Sequence, residues 1–139
     1  MAVLGLLFTA AISPQILTVD LSVVIEPKVW TQEMVKELAI EQTEKYRLHK
    51  GRFLVTLKCE NDFNATGQSQ HKNRQIFPEW YTPVGDPNKE QSFGAAMINL
   101  PSHKGITREM AEDPTFAIPW MAKKWVAGDA SLWSCWRAI

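Results

Sequence analysis

The chain has 139 residues, 15 basic against 15 acidic side chains, and an apolar fraction of 45%. That length accommodates one domain around one core, and balanced charge without a basic stripe argues against a nucleic-acid partner. Six tryptophans are many for this length; such rings either fill a core or stack on sugars and bases.

The first dozen residues, MAVLGLLFTAAI, are almost wholly apolar. The run is too short to span a bilayer but has the length of a signal-peptide core, with Thr9-Ala10-Ala11 as a small-residue cleavage site. Residues 1–26 are therefore read as a leader and linker, against the alternative of a buried N-terminal strand or helix. Two cysteines, Cys59 and Cys135, would pair in an exported protein and remain buried thiols in the cytosol.

After Pro27 the pattern predicts a helix capped by Thr31. Glu33 lies in its first turn, and Met34, Val35, Leu38, Ala39, Gln42 and Tyr46 follow a 3.6-residue spacing. Arg47-Leu48-His49-Lys50-Gly51 ends it, with Gly51 as the turn residue. A shorter helix from about Arg52 presents Phe53, Leu54 and Leu57 on one face and closes near Glu60. Residues 61–91 form a polar stretch rich in Asn, Gln, Pro and Gly. An irregular segment of that length inside a compact domain is generally a binding loop or a lid. A small apolar run, Ser92 to His103, follows. Thr107 caps a short helix through Glu112, and Asp113-Pro114 reads as cap and first residue of a long helix stopped by Gly128. Pro119 either kinks this last helix or marks its true start. Helices dominate, so the fold class expected is mostly α, a single domain with a long irregular loop after the second helix.

Metal chemistry is disfavoured by the wide separation of His49, His71 and His103, none near a second ligand at zinc-site spacing. No G-x-S-x-G elbow is present, and one glycine in Phe93-Gly94-Ala95-Ala96 is too few for a phosphate cradle. Neither a metal nor a cofactor is expected.

Two stretches carry more. FLVTLKCENDFNATGQS, followed by QSFGAAMINLPSHKGITREMAEDPTFAIPWMAKKWVAGDASLWSCWR, resembles the catalytic domains of soluble lytic transglycosylase type in the lysozyme-like superfamily, related to goose-type lysozyme. The family pattern is a helix ending in Glu-Ser, a long loop, a Gly-x-x-Gln-Ile-Asn segment, an Asp-Pro helix start and an aromatic C-terminal stretch. The likeness covers roughly Trp30 to Arg137, and residues 27–139 would form the lysozyme-like domain. Members cleave the bond between N-acetylmuramic acid and N-acetylglucosamine in peptidoglycan, most of them leaving a 1,6-anhydromuramyl end.

The resemblance implies a role for each matching position. Glu60 falls on the catalytic acid, which first protonates the glycosidic oxygen and then accepts the proton of the sugar's own C6 hydroxyl. A carboxyl walled by apolar groups favours its neutral form, as such an acid requires. Asn61, Ser92, Gly94, Met97 and Asn99 fall on substrate-contacting positions. Asn61 stands where the family has serine, and Met97 where it has glutamine, offering only a weakly accepting sulfur. No tyrosine follows Tyr81, so the family's C-terminal tyrosine is missing unless Trp136 fills its space. Tyr81 and Trp133 are expected in the cleft, as is Trp80, while Trp120 and Trp125, at helical spacing, are expected in the core. Most glycosidases pair the acid with a second carboxylate. The transglycosylases resembled here typically do without one and use the substrate's acetamido group to help stabilise the intermediate. Asp62, Glu79, Asp86 and Glu90 remain open as second carboxylates. Cys59 and Cys135 match a cysteine pair found in part of the family, which would bridge the catalytic helix to the C-terminal segment.

The implied partner is the glycan strand of bacterial peptidoglycan, met by a periplasmic or secreted monomer of bacterial or phage-related origin. Two alternatives stand beside the transglycosylase: a hydrolytic lysozyme, and a glycan-binding module that has lost turnover. A further expectation is service to an envelope-spanning secretion or conjugation machine, where the enzyme would open the wall locally.

Overall fold

Thr31 begins the first helix as its pattern requires: the side-chain oxygen accepts the Met34 N–H at 3.2 Å, satisfying one of the orphan donors of a helix start. In the computed structural model, which describes residues 10–15 and 26–138, this helix, α1, spans Gln32–Tyr46. The leader reading of residues 1–26 falls mostly outside the described residues, which include 10–15 and 26 of that span.

The chain turns on Arg47, which adopts the left-handed conformation at φ 53°. Gly51 is not the turn residue. It lies in the first turn of α2, Lys50–Asn61, whose cap is His49: its Nδ1 accepts the Arg52 N–H at 3.2 Å. The imidazole does the work usually left to Ser, Asp or Asn, so the helix starts earlier than its first apolar residue indicates. Asp62, left-handed at φ 48°, ends α2 and is held by Gln32, whose side-chain amide donates to the Asp62 carbonyl at 2.8 Å.

Residues 62–91 contain no helix, and their strand-like pairing is limited to two isolated bridges, Gln68 with Phe93 of the next strand and Lys72 with Lys89 inside the segment. The run from Ser92 is an antiparallel hairpin, β1 (Ser92–Phe93) and β2 (Ile98–Asn99), with Ser92 opposite Asn99 and Phe93 opposite Ile98. Thr107 caps the single turn of α3, Arg108–Ala111. Asp113 caps α4, Pro114–Val126, through the Thr115 N–H at 2.9 Å. Pro119 therefore sits inside α4 and is not its first residue. Short 3₁₀ turns at Leu100–Ser102, Ala130–Leu132 and Ser134–Ala138 complete the described chain.

The core is formed where α4 and α2 pack on α1 and the hairpin closes over them. Val35 and Ala39 from α1, Phe53 and Leu57 from α2, Ile118 and Met121 from α4, and Phe93 and Ile98 from the hairpin are fully or almost fully buried. Trp125 meets Phe53 edge to face at 5.1 Å between ring centres, a favoured aromatic geometry. The C-terminal segment is tied back onto α2 by a disulfide between Cys59 and Cys135, 76 residues apart in sequence. Closing a loop of that length restricts the unfolded chain by about 4 kcal/mol in the entropy model. The protein is thus mostly helical, with little sheet. No helix among the described residues is long and apolar enough to cross a membrane.

Candidate functional site

Glu60 occupies the last turn of α2, one residue beyond the disulfide-bonded Cys59. The bridge brings the 3₁₀ segment Ser134–Ala138 against that turn, and two donors from it reach the carboxylate. The Cys135 N–H donates to Oε1 at 2.9 Å and the Ser134 hydroxyl to the same oxygen at 3.4 Å. Among the described residues the second oxygen, Oε2, accepts no hydrogen bond. Half-burial pushes the Glu60 carboxyl above the ordinary glutamate range. The two donors pull it back in part, while the charge of Glu90 pushes it further up.

The carboxyl faces a cleft of about 380 Å³. One wall comes from the end of α2 and the segment Leu132–Cys135, and the other from residues 67–71 with Glu90 and Ser92. Met97 and Asn99 of the hairpin complete it. Two hollows adjoin this cleft through shared residues. One, of about 270 Å³, runs past Met97 and Trp133 to His103 and Trp120. The other, of about 630 Å³, runs past His71 to Lys72 and Arg74. The result is an extended trough, a shape that suits a chain more than a compact molecule. Among the described residues no group of three or more His, Cys, Asp and Glu side chains forms a metal-ligand set.

Eight of the sequence-selected residues line the cleft: Cys59, Glu60, Asn61, Ser92, Met97, Asn99, Trp133 and Cys135. Their duties differ from one another. The Asn61 side-chain amide donates to the carbonyls of Asn64, Thr66 and Gly94 at 3.2, 3.1 and 3.1 Å. It staples the turn after α2 to the hairpin, so its nitrogen is committed to backbone. Trp133 is only 3% exposed, and its indole N–H donates to the Ala96 carbonyl at 2.6 Å. It locks the hairpin turn and leaves little ring surface to the cleft. Met97 is half-buried, at φ 44°.

Two residues lie elsewhere. Gly94 is buried and borders backbone, not the cleft: a Cβ there would stand 1.8 Å from the Ala111 carbonyl oxygen, and its φ is +78°. Only glycine lets α3 approach the hairpin so closely. Tyr81 is turned to the loop interior, where its hydroxyl donates to Gln91 Oε1 at 2.8 Å; it does not line the cleft. Trp80 packs on Tyr81 and is 43% exposed.

Several residues of the site were not singled out by sequence. Gln91 is fully buried and makes four hydrogen bonds. Its oxygen accepts from Tyr81 and the Val84 N–H, and its amide donates to the Asp86 and Lys89 carbonyls. It organises residues 81–91 as an apolar side chain organises a core. Ser69, His71, Leu132 and Ser134 also line the cleft, and no spacing in the sequence marks them. Of the four carboxylates left open, Glu90 alone borders the cleft. Asp62 caps α2, Asp86 accepts the Asn88 N–H within a turn, and Glu79 is exposed on the loop.

Compared with known proteins, the chain matches no family model, no curated protein and no solved structure.

Proposed function

We propose that the protein is a peptidoglycan lytic transglycosylase of lysozyme-like fold, cleaving the bond between N-acetylmuramic acid and N-acetylglucosamine with Glu60 as its acid and then its base. The reading rests on the resemblance of the Glu60 and Gly94–Asn99 stretches to that family. The observation that carries it furthest is the setting of Glu60: half-buried at the wall of a long trough, held on one carboxyl oxygen and open on the other, with its proton retained above the ordinary range. A general acid is served by both features, a neutral form favoured by burial and an unobstructed oxygen.

In this mechanism Glu60 delivers its proton to the glycosidic oxygen as that oxygen leaves the muramyl C1 with the bonding electron pair. The carboxylate so formed takes the proton of the C6 hydroxyl, whose oxygen closes on C1 to give the 1,6-anhydro ring. Proton and charge return to their starting places on the enzyme. Such a protein works outside the cytoplasmic membrane, periplasmic or secreted, as a monomer on glycan strands, and local opening of the wall for an envelope-spanning machine is a fitting duty. A second reading, glycan binding without turnover, is favoured by Met97, whose thioether borders the cleft where a glutamine amide is expected.

The test is digestion of purified peptidoglycan sacculi followed by mass spectrometry of the released fragments. The proposal expects anhydromuropeptides from the protein and none from Glu60→Gln. Reducing ends in their place convert the reading to a hydrolytic lysozyme, and binding without release converts it to the glycan-binding module.

A further inference from the structure

Glu90 alone borders the cleft and both adjoining hollows. It is held there by a chain of side-chain hydrogen bonds. The buried hydroxyls of Ser69 and Ser92 donate to Oε2 and Oε1 at 3.1 and 3.0 Å. Asn99 donates in turn to the Ser92 oxygen at 3.3 Å, and the Ser102 hydroxyl donates to Asn99 Oδ1 at 2.7 Å. The His71 N–H donates to the Ser69 oxygen at 3.3 Å. Ser92 and Asn99, which match the family's motif, thus spend their polar groups on orienting this carboxylate.

A solvated surface glutamate needs no such frame. Two hydroxyl donors, one on each oxygen, fix the orientation of Glu90, whereas Glu60 is held through Oε1 alone among the described residues. The two carboxyls that border one cleft are therefore held differently, Glu90 fixed through both oxygens and Glu60 with Oε2 left to meet a leaving oxygen. We propose that Glu90 is a second catalytic residue: a carboxylate held in place by Ser69 and Ser92 that stabilises the positive charge developing at the muramyl C1 as the Glu60 proton passes to the leaving oxygen. Glu90 exchanges no proton and forms no bond in this step. The C1–O bond breaks with its electron pair going to oxygen, and the charge left on the ring is balanced by the fixed carboxylate. Its negative charge also supports retention of the Glu60 proton beforehand. The inference rests on the reading of Glu60 as the acid.

Preorganised charge of this kind is worth about 10²-fold in rate. Glu90→Gln preserves shape and keeps one acceptor for the serine hydroxyls, so the expected result is a kcat on sacculi lowered about 10²-fold with KM little changed. The high-pH limb of the activity profile should move to lower pH, because Glu60 loses a like-charged neighbour. The other charged or titratable groups bordering these hollows are His71, Lys72, Arg74 and His103, and Lys89 lies next in the chain, bonded to Gln70; all are retained in the variant. Glu90→Asp, which keeps the charge and shortens its reach, should retain more activity than the glutamine variant. A Glu90→Gln enzyme within twofold of the parent, or one whose loss tracks only a fall in melting temperature with the pH limb unmoved, overturns the assignment while Glu60→Gln remains inactive. A parent inactive on sacculi, or an active Glu60→Gln, overturns the reading of Glu60 and this inference with it.

Discussion

The helical body and the polar segment 62–91 are held together by different physics. In the body, α1, α2 and α4 bury Val35, Phe53, Leu57, Ile118 and Met121 against one another, and the driving force is the removal of apolar surface from water. In the segment, Ala65 and Phe63 are the buried apolar residues, and order comes from side chains bonding backbone. Gln91 binds residues 81–89, Gln68 binds the Asp86 and Glu90 carbonyls at 2.8 and 3.2 Å, and Asn61 binds the turn after α2. Hydrophobic packing is non-directional and tolerates rearrangement, whereas each of these bonds has one geometry and one partner. The catalytic candidates stand where the two regions meet, Glu60 on the rigid side and Glu90 on the hydrogen-bonded side.

That contrast predicts two kinds of damage. Phe53→Ala removes a fully buried ring and its edge-to-face contact with Trp125, and a cavity of that size costs roughly 3–5 kcal/mol. The loss should appear as a lowered midpoint of one cooperative denaturant transition, with helix and loop unfolding together. Gln91→Leu keeps volume but strands the Tyr81 hydroxyl and the Val84 N–H, at a cost of roughly 2–4 kcal/mol. Here the damage should be local: limited proteolysis between residues 78 and 90 becomes faster, while helix content by circular dichroism is unchanged. If both variants lose helix and loop in one transition, the two regions form one cooperative unit and the distinction fails.

The same division decides what the sequence made legible. Helix starts at Thr31, Thr107 and Asp113 could be read because each is a short polar side chain before an apolar period, and each does bond the N–H expected of a cap. The start of α2 lies ahead of its first apolar residue because its cap is a histidine, and the turn before it falls to Arg47 and not to Gly51. The pairing of Cys59 with Cys135 followed from family likeness, not from spacing. Residues 62–91 were legible only as an absence of period: nothing in the string distinguishes buried Gln91 from exposed Gln70 or Gln75. Glu90 could be named among four carboxylates, but only the fold brings it to the cleft. Trp133 could be placed near the site, yet its burial under the hairpin turn depends on a contact with Ala96, 37 residues away.

The smallest effect is also the most informative. Glu60 should titrate above the ordinary glutamate value of about 4.3, since burial opposes its charged form more than the Cys135 and Ser134 donors favour it. In the proposed mechanism the acid form is the active one, so cleavage should persist below that midpoint and fall as pH rises through it. Carbon-13 NMR of the side-chain carboxyls, with Glu60→Gln to assign the resonance, measures the midpoint directly. The account predicts a value clearly above the ordinary range that coincides with the high-pH limb of sacculus cleavage. A Glu60 resonance titrating at or below the ordinary value would contradict its role as the proton donor.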